Sequence, residues 1–345
     1  MLRTLSLLAL IFALLFDTGE ASAQSNYTTT DFFVPNGTLQ LQVRKVAETT
    51  YSSRRKLPLL LVHGGTGATT SFDLNAEDAS FAKSLALGGF SVYIMNIRGW
   101  ERSTAPAYNL TDTALVAGSC IEAASDIDAV VNYLLQGNPK GKINLFGWAA
   151  GGHWAAYYTT LHNDKVANLI VLNSLYGVKA PWAFNESFAD PADSTKFNSS
   201  IPAYRQSNEQ QVTDIWKTGI TPGDTTFVAP DSALVQAFAK SAVSFNDEHL
   251  LKTPGGFRKE SFYMANGRKY WDAKDITVPT LIIRGDRDFW SRPVDADRFY
   301  NELIGAPNKK KVIIAGGTHF VFLDTEGNGR RKLLIAINNF VKKGL

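Results

Sequence analysis

The sequence predicts an α/β fold in which helices cover both faces of a mostly parallel β-sheet. Short, continuous apolar segments of strand length recur along the chain, and helix-periodic segments follow most of them. Strands that are apolar at nearly every position are typical of parallel sheets that are buried on both faces. The chain has 345 residues, of which 45% are hydrophobic, so it can bury a large core.

The first half of the chain begins the alternation. Residues 37–48 alternate polar and apolar side chains, as a half-buried strand does. Residues 57–62 and 90–97 are apolar runs that predict fully buried strands. Residues 114–135 have helical periodicity, with one apolar face made by Ile121, Ala124, Ile127, Val130, Val131 and Leu134.

The second half continues the pattern after one interruption. A strand, a helix and a strand follow at residues 142–146, 152–161 and 168–172. Further strands are predicted at residues 280–283 and 311–314, and a helix is predicted after each of them, at residues 294–303 and 330–341. Between residues 177 and 275 the rhythm breaks, and we interpret this segment as a lid inserted between two strands. The core domain then comprises residues 24–176 and 276–345.

The N-terminus predicts an export signal. Arg3 gives a short positive start, residues 5–16 are apolar, and Ala21-Ser22-Ala23 matches a signal-peptidase site. The apolar run is too short to span a bilayer, and no later stretch is long enough, so we expect no stable membrane anchor. Cleavage after Ala23 predicts a mature chain that begins at Gln24 and is periplasmic or secreted.

Composition excludes several classes of protein. The 35 Lys and Arg residues nearly balance 32 Asp and Glu, and no basic patch or stripe is evident, so we expect no nucleic-acid partner. The single cysteine, Cys120, excludes an internal disulfide and a cysteine-based zinc site. No phosphate-binding glycine motif and no metal-ligand spacing occurs, so we expect neither a cofactor nor a metal. The sequence does not determine the oligomeric state.

The most informative motif is NLFGWAAGGH at residues 144–153. A predicted strand runs into Gly147 and a predicted helix leaves from Gly152, which is the setting of the G-x-S-x-G nucleophile elbow. Position 149 is alanine where that motif has serine. The elbow strains the backbone of its central residue, and Gly147 and Gly151 supply the small neighbours that it requires. We therefore expect a positive φ at Ala149.

With this turn the chain resembles the α/β-hydrolase superfamily, and the resemblance covers nearly all of the mature sequence. HGGTG at residues 63–67 is similar to the family's oxyanion loop. NIRGWERS at residues 96–103 is similar to its D-x-R-G-x-G-x-S segment, with Asn96 and Glu101 as departures. The resemblance implies an α/β-hydrolase fold.

The same resemblance implies the other catalytic residues. GDRD at residues 285–288 matches the acid position, which favours Asp288 and leaves Asp286 as a turn residue. GGTHF at residues 316–320 matches the histidine loop and implies His319 as the general base. The order of nucleophile position, acid and histidine along the chain is the family's order.

Each implied role has a chemical reason. A hydroxyl is a poor nucleophile at neutral pH, so His319 would remove its proton, and Asp288 would orient the imidazole. The backbone N–H groups of Gly65 and Ala150 would stabilise the developing oxyanion. We expect further substrate contacts from Gly64, Thr66, Trp100, Trp148 and Trp182.

Three residues of these segments have structural interpretations instead. His63 is expected to support the oxyanion loop, whose backbone carries the role. His153, one turn into the helix after the elbow, is expected to be packed or capped. Cys120 is expected to be a buried, inert thiol.

The residues leave two functions open. The first is an exported serine hydrolase that cleaves a small or oligomeric carboxylic ester, lactone or thioester, present here as a serine-to-alanine inactivated variant. The second is a non-catalytic ligand-binding member of the same fold. Asp288 and His319 favour the first, because a binding protein does not need a paired general base. A dehalogenase or epoxide hydrolase would need a carboxylate at position 149, and none is present there.

Overall fold

The computed structural model describes residues 27–49, 56–76, 78–105, 118–138, 140–218, 232–325 and 329–343. The predicted signal peptide, its cleavage site and Gln24 lie outside these residues. No helix in this described part of the chain is long and apolar enough to cross a membrane.

An eight-stranded sheet forms the centre of the molecule. It contains β1 (Tyr27–Asn36), β2 (Leu39–Glu48), β3 (Leu59–Val62), β4 (Val92–Met95), β5 (Ile143–Trp148), β6 (Val166–Leu172), β9 (Thr280–Arg287) and β10 (Lys309–Thr318). The spatial order is β1-β2-β4-β3-β5-β6-β9-β10. The last six strands in this spatial order, β4, β3, β5, β6, β9 and β10, pair in parallel. Strand β2 pairs antiparallel with both β1 and β4.

Helices pack on both faces of this sheet, which confirms the predicted fold class. Along β3, Leu59 and Leu61 point into one core cluster, and Leu60 and Val62 point into the other. The first cluster includes side chains of α1 (Ala68–Phe72), α2 (Phe81–Leu87) and α10 (Arg330–Lys343), and the second those of α3 (Cys120–Leu134), α4 (Ala150–Leu161) and α9 (Pro293–Glu302). Strand β3 is therefore apolar at every position because both of its faces are buried.

The structure differs from the sequence prediction at strand β1 and at one residue of α3. Strand β1 was not predicted, because its side chains are mostly exposed and Val34 is its one buried residue. Ile121 was assigned to the buried face of α3 but is 67% exposed, and this assignment is wrong. The buried face includes Cys120 and Ala123 instead. The helix begins after a capping box formed by Ser119 and Glu122. The predicted helical residues 114–117 lie outside the described residues.

Strands β6 and β9 are neighbours in the sheet, yet more than a hundred residues separate them in the chain. The described parts of this connection contain a two-stranded sheet, β7 (Tyr204–Ser207) and β8 (Leu251–Pro254), and a short 3-10 helix (Ala273–Asp275). They also contain α5 (Asn185–Phe188), α6 (Glu209–Lys217), α7 (Ser232–Ala242) and α8 (Gly256–Ala265). The lid boundaries at residues 177 and 275 stay a prediction.

Candidate active site

The turn between β5 and α4 has the strained geometry expected of an elbow. Ala149 has φ 54° and ψ −116°, a conformation that costs a non-glycine residue on the order of 1–3 kcal/mol. A Cβ atom at Gly147 would lie 2.2 Å from the carbonyl oxygen of Gly151. A Cβ atom at Gly151 would lie 2.3 Å from the carbonyl oxygens of Val62 and His63. The turn can therefore form only because both flanking positions are glycine.

Asp288 and His319 meet at the carboxyl edge of the sheet. They follow β9 and the end of β10, which are parallel neighbours, so both residues emerge on the same side. His319 Nδ1 lies 2.6 Å from Asp288 Oδ1, and both side chains are buried. The Asp288 carboxylate also accepts bonds from the backbone N–H of Trp290, at 3.0 Å, and from both the N–H and the hydroxyl of Ser291. These donors hold the carboxylate toward the imidazole.

Backbone contacts fix the histidine loop. The carbonyl oxygen of His319 accepts bonds from Trp148 Nε1 at 2.9 Å and from Asn173 Nδ2 at 3.1 Å. Asp324 accepts bonds from both the N–H and the hydroxyl of Thr318. Burial raises the pKa of Asp324 to about 6, and the Thr318 bonds oppose that shift.

Asp286 has a different position from Asp288. Its exposed carboxylate accepts a bond from the backbone N–H of Gly316 at 2.8 Å. It therefore ties the end of β9 to the beginning of the histidine loop, while Asp288 is the carboxylate that contacts His319.

The loop at residues 63–67 packs against the elbow. His63 is fully buried; its Nε2 accepts the N–H of Ile97 at 3.1 Å, so Nδ1 donates to the carbonyl oxygen of Gly64 at 2.7 Å. Burial lowers the pKa of His63 to about 4, so its imidazole is neutral at pH 7. A Cβ atom at Gly64 would lie 3.1 Å from the Ala149 Cβ, which shows how closely the loop approaches the elbow.

The two expected oxyanion donors border the same space. Ala150 is the first residue of α4, where a backbone N–H has no acceptor within its own helix. A Cβ atom at Gly65 would meet the Phe257 ring at 3.2 Å. A side chain there would therefore crowd the approach to the elbow.

Asn96 and Glu101, the two departures from the D-x-R-G-x-G-x-S segment, interact with each other. Glu101 accepts bonds from Asn96 Nδ2 at 2.8 Å and from the N–H of Thr70 at 2.9 Å. Asn96 Oδ1 accepts the N–H of Ala68 at 2.8 Å. The amide at position 96 can donate to the carboxylate at 101, whereas two carboxylates would repel each other. Together they cap the N-terminus of α1 behind the oxyanion loop.

A cavity of about 470 Å³ opens in front of these groups. Its lining includes the elbow, the histidine and the oxyanion loop through Gly65, Thr66, Trp148, Ala149, Ala150 and His319. The connection between β6 and β9 contributes aromatic, polar and charged side chains: Phe188, Arg205, Gln206, Ser207, Gln211, Asp214, Ile215, Phe257 and Arg258. Phe289, Trp290 and Phe320 complete the wall.

Three residues that we expected at the pocket lie outside this lining. Trp100 is fully buried against His63 and Trp154, with ring centroids 5.1 and 5.6 Å away. Trp182 is buried among other aromatic rings, and its Nε1 donates to the carbonyl oxygen of Trp290 at 2.9 Å. Gly64 faces the elbow rather than the cavity. Both tryptophans therefore support lining residues from behind.

The sequence interpretation missed Trp290, Phe257, Arg205 and Arg258. Trp290 follows the acid by two residues, so its proximity to the site could have been inferred from the motif. The other three come from the irregular connection, where no local pattern indicates which side chains turn inward.

A second polar cluster lies buried behind the site. Potential ligand atoms of Cys120, His153 and Glu260 lie within 4.8 Å of one another. They bond each other and the protein: His153 Nδ1 accepts from Trp271 Nε1 at 2.9 Å, and its Nε2 donates to Glu260 at 3.1 Å. The Glu260 carboxylate also accepts the N–H of Cys120. Burial, followed by the Glu260 charge, raises the pKa of the Cys120 thiol, so the thiolate is disfavoured.

The fold is that of an α/β protein, and this arrangement lies at the carboxyl edge of its sheet. The sequence model of the alpha/beta hydrolase fold matches residues 58–326, and the chain belongs to this family.

Individual relatives are distant. The chain is 25% identical over 311 residues to the poly(3-hydroxyalkanoate) polymerase subunit PhaC of Allochromatium vinosum, which covers 83% of this chain and 81% of that protein. It is 28% identical over 131 residues to the 1-acylglycerol-3-phosphate O-acyltransferase ABHD5 of Rattus norvegicus, covering 38% of this chain and 31% of that one.

Solved structures share the fold. A serine hydrolase involved in carbazole degradation superposes with a TM-score of 0.62 at 16% identity, over 92% of this chain and 100% of that chain. An esterase from Exiguobacterium antarcticum superposes with a TM-score of 0.59 at 18% identity, over 91% and 100%. At these identities the likeness establishes the fold alone.

Proposed function

We propose that this chain carries the site of a serine hydrolase for carboxylic esters, lactones or thioesters, with alanine in place of the nucleophile. The observation that carries the proposal is the 2.6 Å contact between His319 and Asp288 beside the strained Ala149. The expected general base, His319, and the expected oxyanion donors, Gly65 and Ala150, line one cavity. The expected acid, Asp288, contacts His319 and lies outside that lining.

With serine at position 149, each neighbouring group has a defined task. Because His319 Nδ1 faces Asp288, the imidazole would hold its proton there and present Nε2 to the serine hydroxyl. His319 would take the hydroxyl proton during attack and return it to the leaving group. The N–H groups of Ala150 and Gly65 would stabilise the oxyanion, each contributing roughly 2.7–4 kcal/mol in the transition state.

With alanine at position 149, we propose that the chain binds the acyl compound without forming an acyl-enzyme. Alanine removes the reacting oxygen and preserves the shape of the elbow, so the cavity and the Asp288–His319 pair persist. The same alanine is the observation that favours the second candidate, a non-catalytic, ligand-binding member of the family that has lost its nucleophile.

The substitution Ala149→Ser distinguishes the two candidates. We expect it to raise hydrolysis of 4-nitrophenyl esters, or of a thioester or lactone, by roughly 10⁴-fold or more over the unsubstituted chain. Mass spectrometry should detect an acyl adduct on the peptide that contains position 149. The double variant Ala149→Ser/His319→Ala is the matched control, and it should return the rate to background.

A folded Ala149→Ser protein that is inert toward the whole panel would contradict the hydrolase proposal and leave the binding protein. Circular dichroism and the unfolding midpoint establish whether the variant is folded.

We also propose that the chain is exported and that the signal peptide is removed after Ala23. The proposal is supported by the positive start, the short apolar run and the small residues at 21 and 23. N-terminal sequencing of the exported protein should begin at Gln24, and a retained Met1 would refute it.

A further inference from the structure

Two arginines in the cavity wall have no carboxylate partner among the residues that the structure describes. Arg205 lies on β7 and Arg258 on α8, and both line the cavity. Within the described residues, the one hydrogen bond of the Arg205 guanidinium runs from Nε to Ser207 Oγ at 3.0 Å. The Arg258 guanidinium has no hydrogen bond or ion pair to a described residue; its Cζ lies 6.0 Å from the Phe257 ring centroid.

Both cations are placed where water is restricted. Burial, followed by the charge of Arg258, lowers the pKa of Arg205 to about 9, and burial lowers the pKa of Arg258 to about 10. Each therefore stays charged at pH 7 while losing part of its hydration. Burying a cation without a partner is unfavourable, so an anion bound between these groups would relieve a cost that the free protein bears.

The position of Arg205 connects this pair to the candidate active site. Its Nη1 lies 3.6 Å from the place of a Cβ atom at Gly65, the expected oxyanion donor. Asp214 is the one carboxylate among the described lining residues; it lies on the exposed face of α6 and accepts a bond from Gln210 at 2.8 Å. The inner part of the wall is therefore cationic.

We infer that Arg205 and Arg258 form a subsite for an oxyanionic group, carboxylate or phosphate, on the acyl substrate. Guanidinium groups bind both anions through paired N–H donors, and such charge-assisted bonds are roughly twice as strong as neutral ones. The inference rests on the proposed function for the position of the acyl group, and it narrows the substrate from esters in general to anionic acyl compounds.

The kinetic test uses matched esters and the Ala149→Ser protein. The 4-nitrophenyl monoesters of succinate, glutarate and adipate are compared with the neutral 4-nitrophenyl esters in which the second carboxyl group is a methyl ester. They are also compared with analogues in which a phosphonate replaces the free carboxylate. Spontaneous hydrolysis is subtracted from every rate. We expect kcat/KM for the best anionic ester to exceed that of its methyl counterpart by about 10- to 100-fold. The carboxylate and phosphonate arms show which anion the subsite prefers.

Arginine variants assign the preference. Arg205→Gln and Arg258→Gln should each reduce the anionic-to-neutral ratio of kcat/KM toward one. Arg205→Lys and Arg258→Lys should keep part of it, because the charge remains and the paired donors are lost. Arg268→Gln is the matched control: Arg268 is an exposed cation of the same connection that stacks on Tyr270 outside the cavity lining, so the ratio should not change.

A binding measurement separates this inference from the proposed function. Calorimetry on the unsubstituted chain should detect adipate or methylphosphonate, with weaker binding in both Gln variants. If Ala149→Ser is inert toward every ester while these anions bind, the hydrolase proposal fails and the anion subsite stands. If the neutral and anionic esters are hydrolysed equally and neither anion binds, the subsite is refuted and the hydrolase proposal stands.

Discussion

The two arginines of the cavity wall differ from Arg98 and Arg292, which are also partly buried, in how their charges are satisfied. Arg292, near the start of α9, donates to Asp295 and to the carbonyl oxygens of Val178 and Ala180. Arg98 forms a bidentate pair with the buried Asp126. By contrast, Arg205 has one bond to a hydroxyl, and Arg258 has none to the described residues.

This difference separates structural charges from charges available to a ligand. A saturated guanidinium joins segments that are distant in the chain, so its removal leaves buried acceptors and a buried carboxylate unpaired. A guanidinium that bonds no described residue, such as that of Arg258, contributes little to folding. Its donors remain available to an anion that enters the cavity.

The largest expected effect is on kcat and concerns the carboxylate that contacts His319. In the Ala149→Ser background, Asp288→Asn should lower kcat by roughly 10⁴-fold for charged and neutral esters alike, because it disturbs the imidazole that every substrate needs. Asp286→Asn should cost less than about 10-fold, since this carboxylate bonds the Gly316 N–H rather than His319. Steady-state kinetics on both ester types measures the difference. An Asp286 variant that is the more damaged of the two would overturn our assignment of the acid.

A smaller effect should separate the paired from the unpaired arginines in stability. Arg292→Ala should lower the free energy of unfolding by about 3–5 kcal/mol, because it leaves the buried Asp295 without its cation. Arg258→Gln should change it by less than about 1 kcal/mol or increase it, since it removes an unpaired, partly buried charge. Urea unfolding at pH 7 compares the two. Equal losses would show that Arg258 has a structural partner and would remove the contrast.

The smallest effect concerns His63, which is buried in its neutral form, and the pH dependence of the free energy of unfolding. Burial lowers the pKa of His63 from its ordinary value of 6.5 to about 4, so the unfolded chain takes up this proton first as pH falls. His63 should therefore reduce stability progressively between pH 6.5 and 4, by roughly 3 kcal/mol in all. Asp324 acts in the opposite direction, because burial raises its pKa from the ordinary value of 3.8 to about 6.

The contribution of His63 to the pH dependence of stability is measured by comparing the chain with a variant at this position. The free energy of unfolding is measured from pH 7 to pH 4 for the chain and for His63→Gln, whose side chain does not titrate. The variant should lose less stability over this interval. Parallel pH curves would mean that His63 is not held neutral by the fold.

The local sequence was sufficient wherever a feature depends on neighbouring residues. Strand β3 is apolar throughout, and the positive φ of Ala149 follows from the glycines two positions away on either side. Strand β1 escaped prediction because only Val34 on it is buried, so it has little hydrophobic pattern to detect.

The sequence by itself determined the fold class, the strained turn and the order of the motifs, because these depend on periodicity and on steric limits within a few residues. Tertiary structure alone decided that Trp100 and Trp182 pack behind the cavity while Trp290 and Phe257 line it. It alone placed Arg205 and Arg258 where no described carboxylate pairs with them, while Arg98 and Arg292 each pair with a buried aspartate. The physical reason is that a charge is satisfied or not by groups from distant segments, and no local pattern in the connection between β6 and β9 specifies which segments those are.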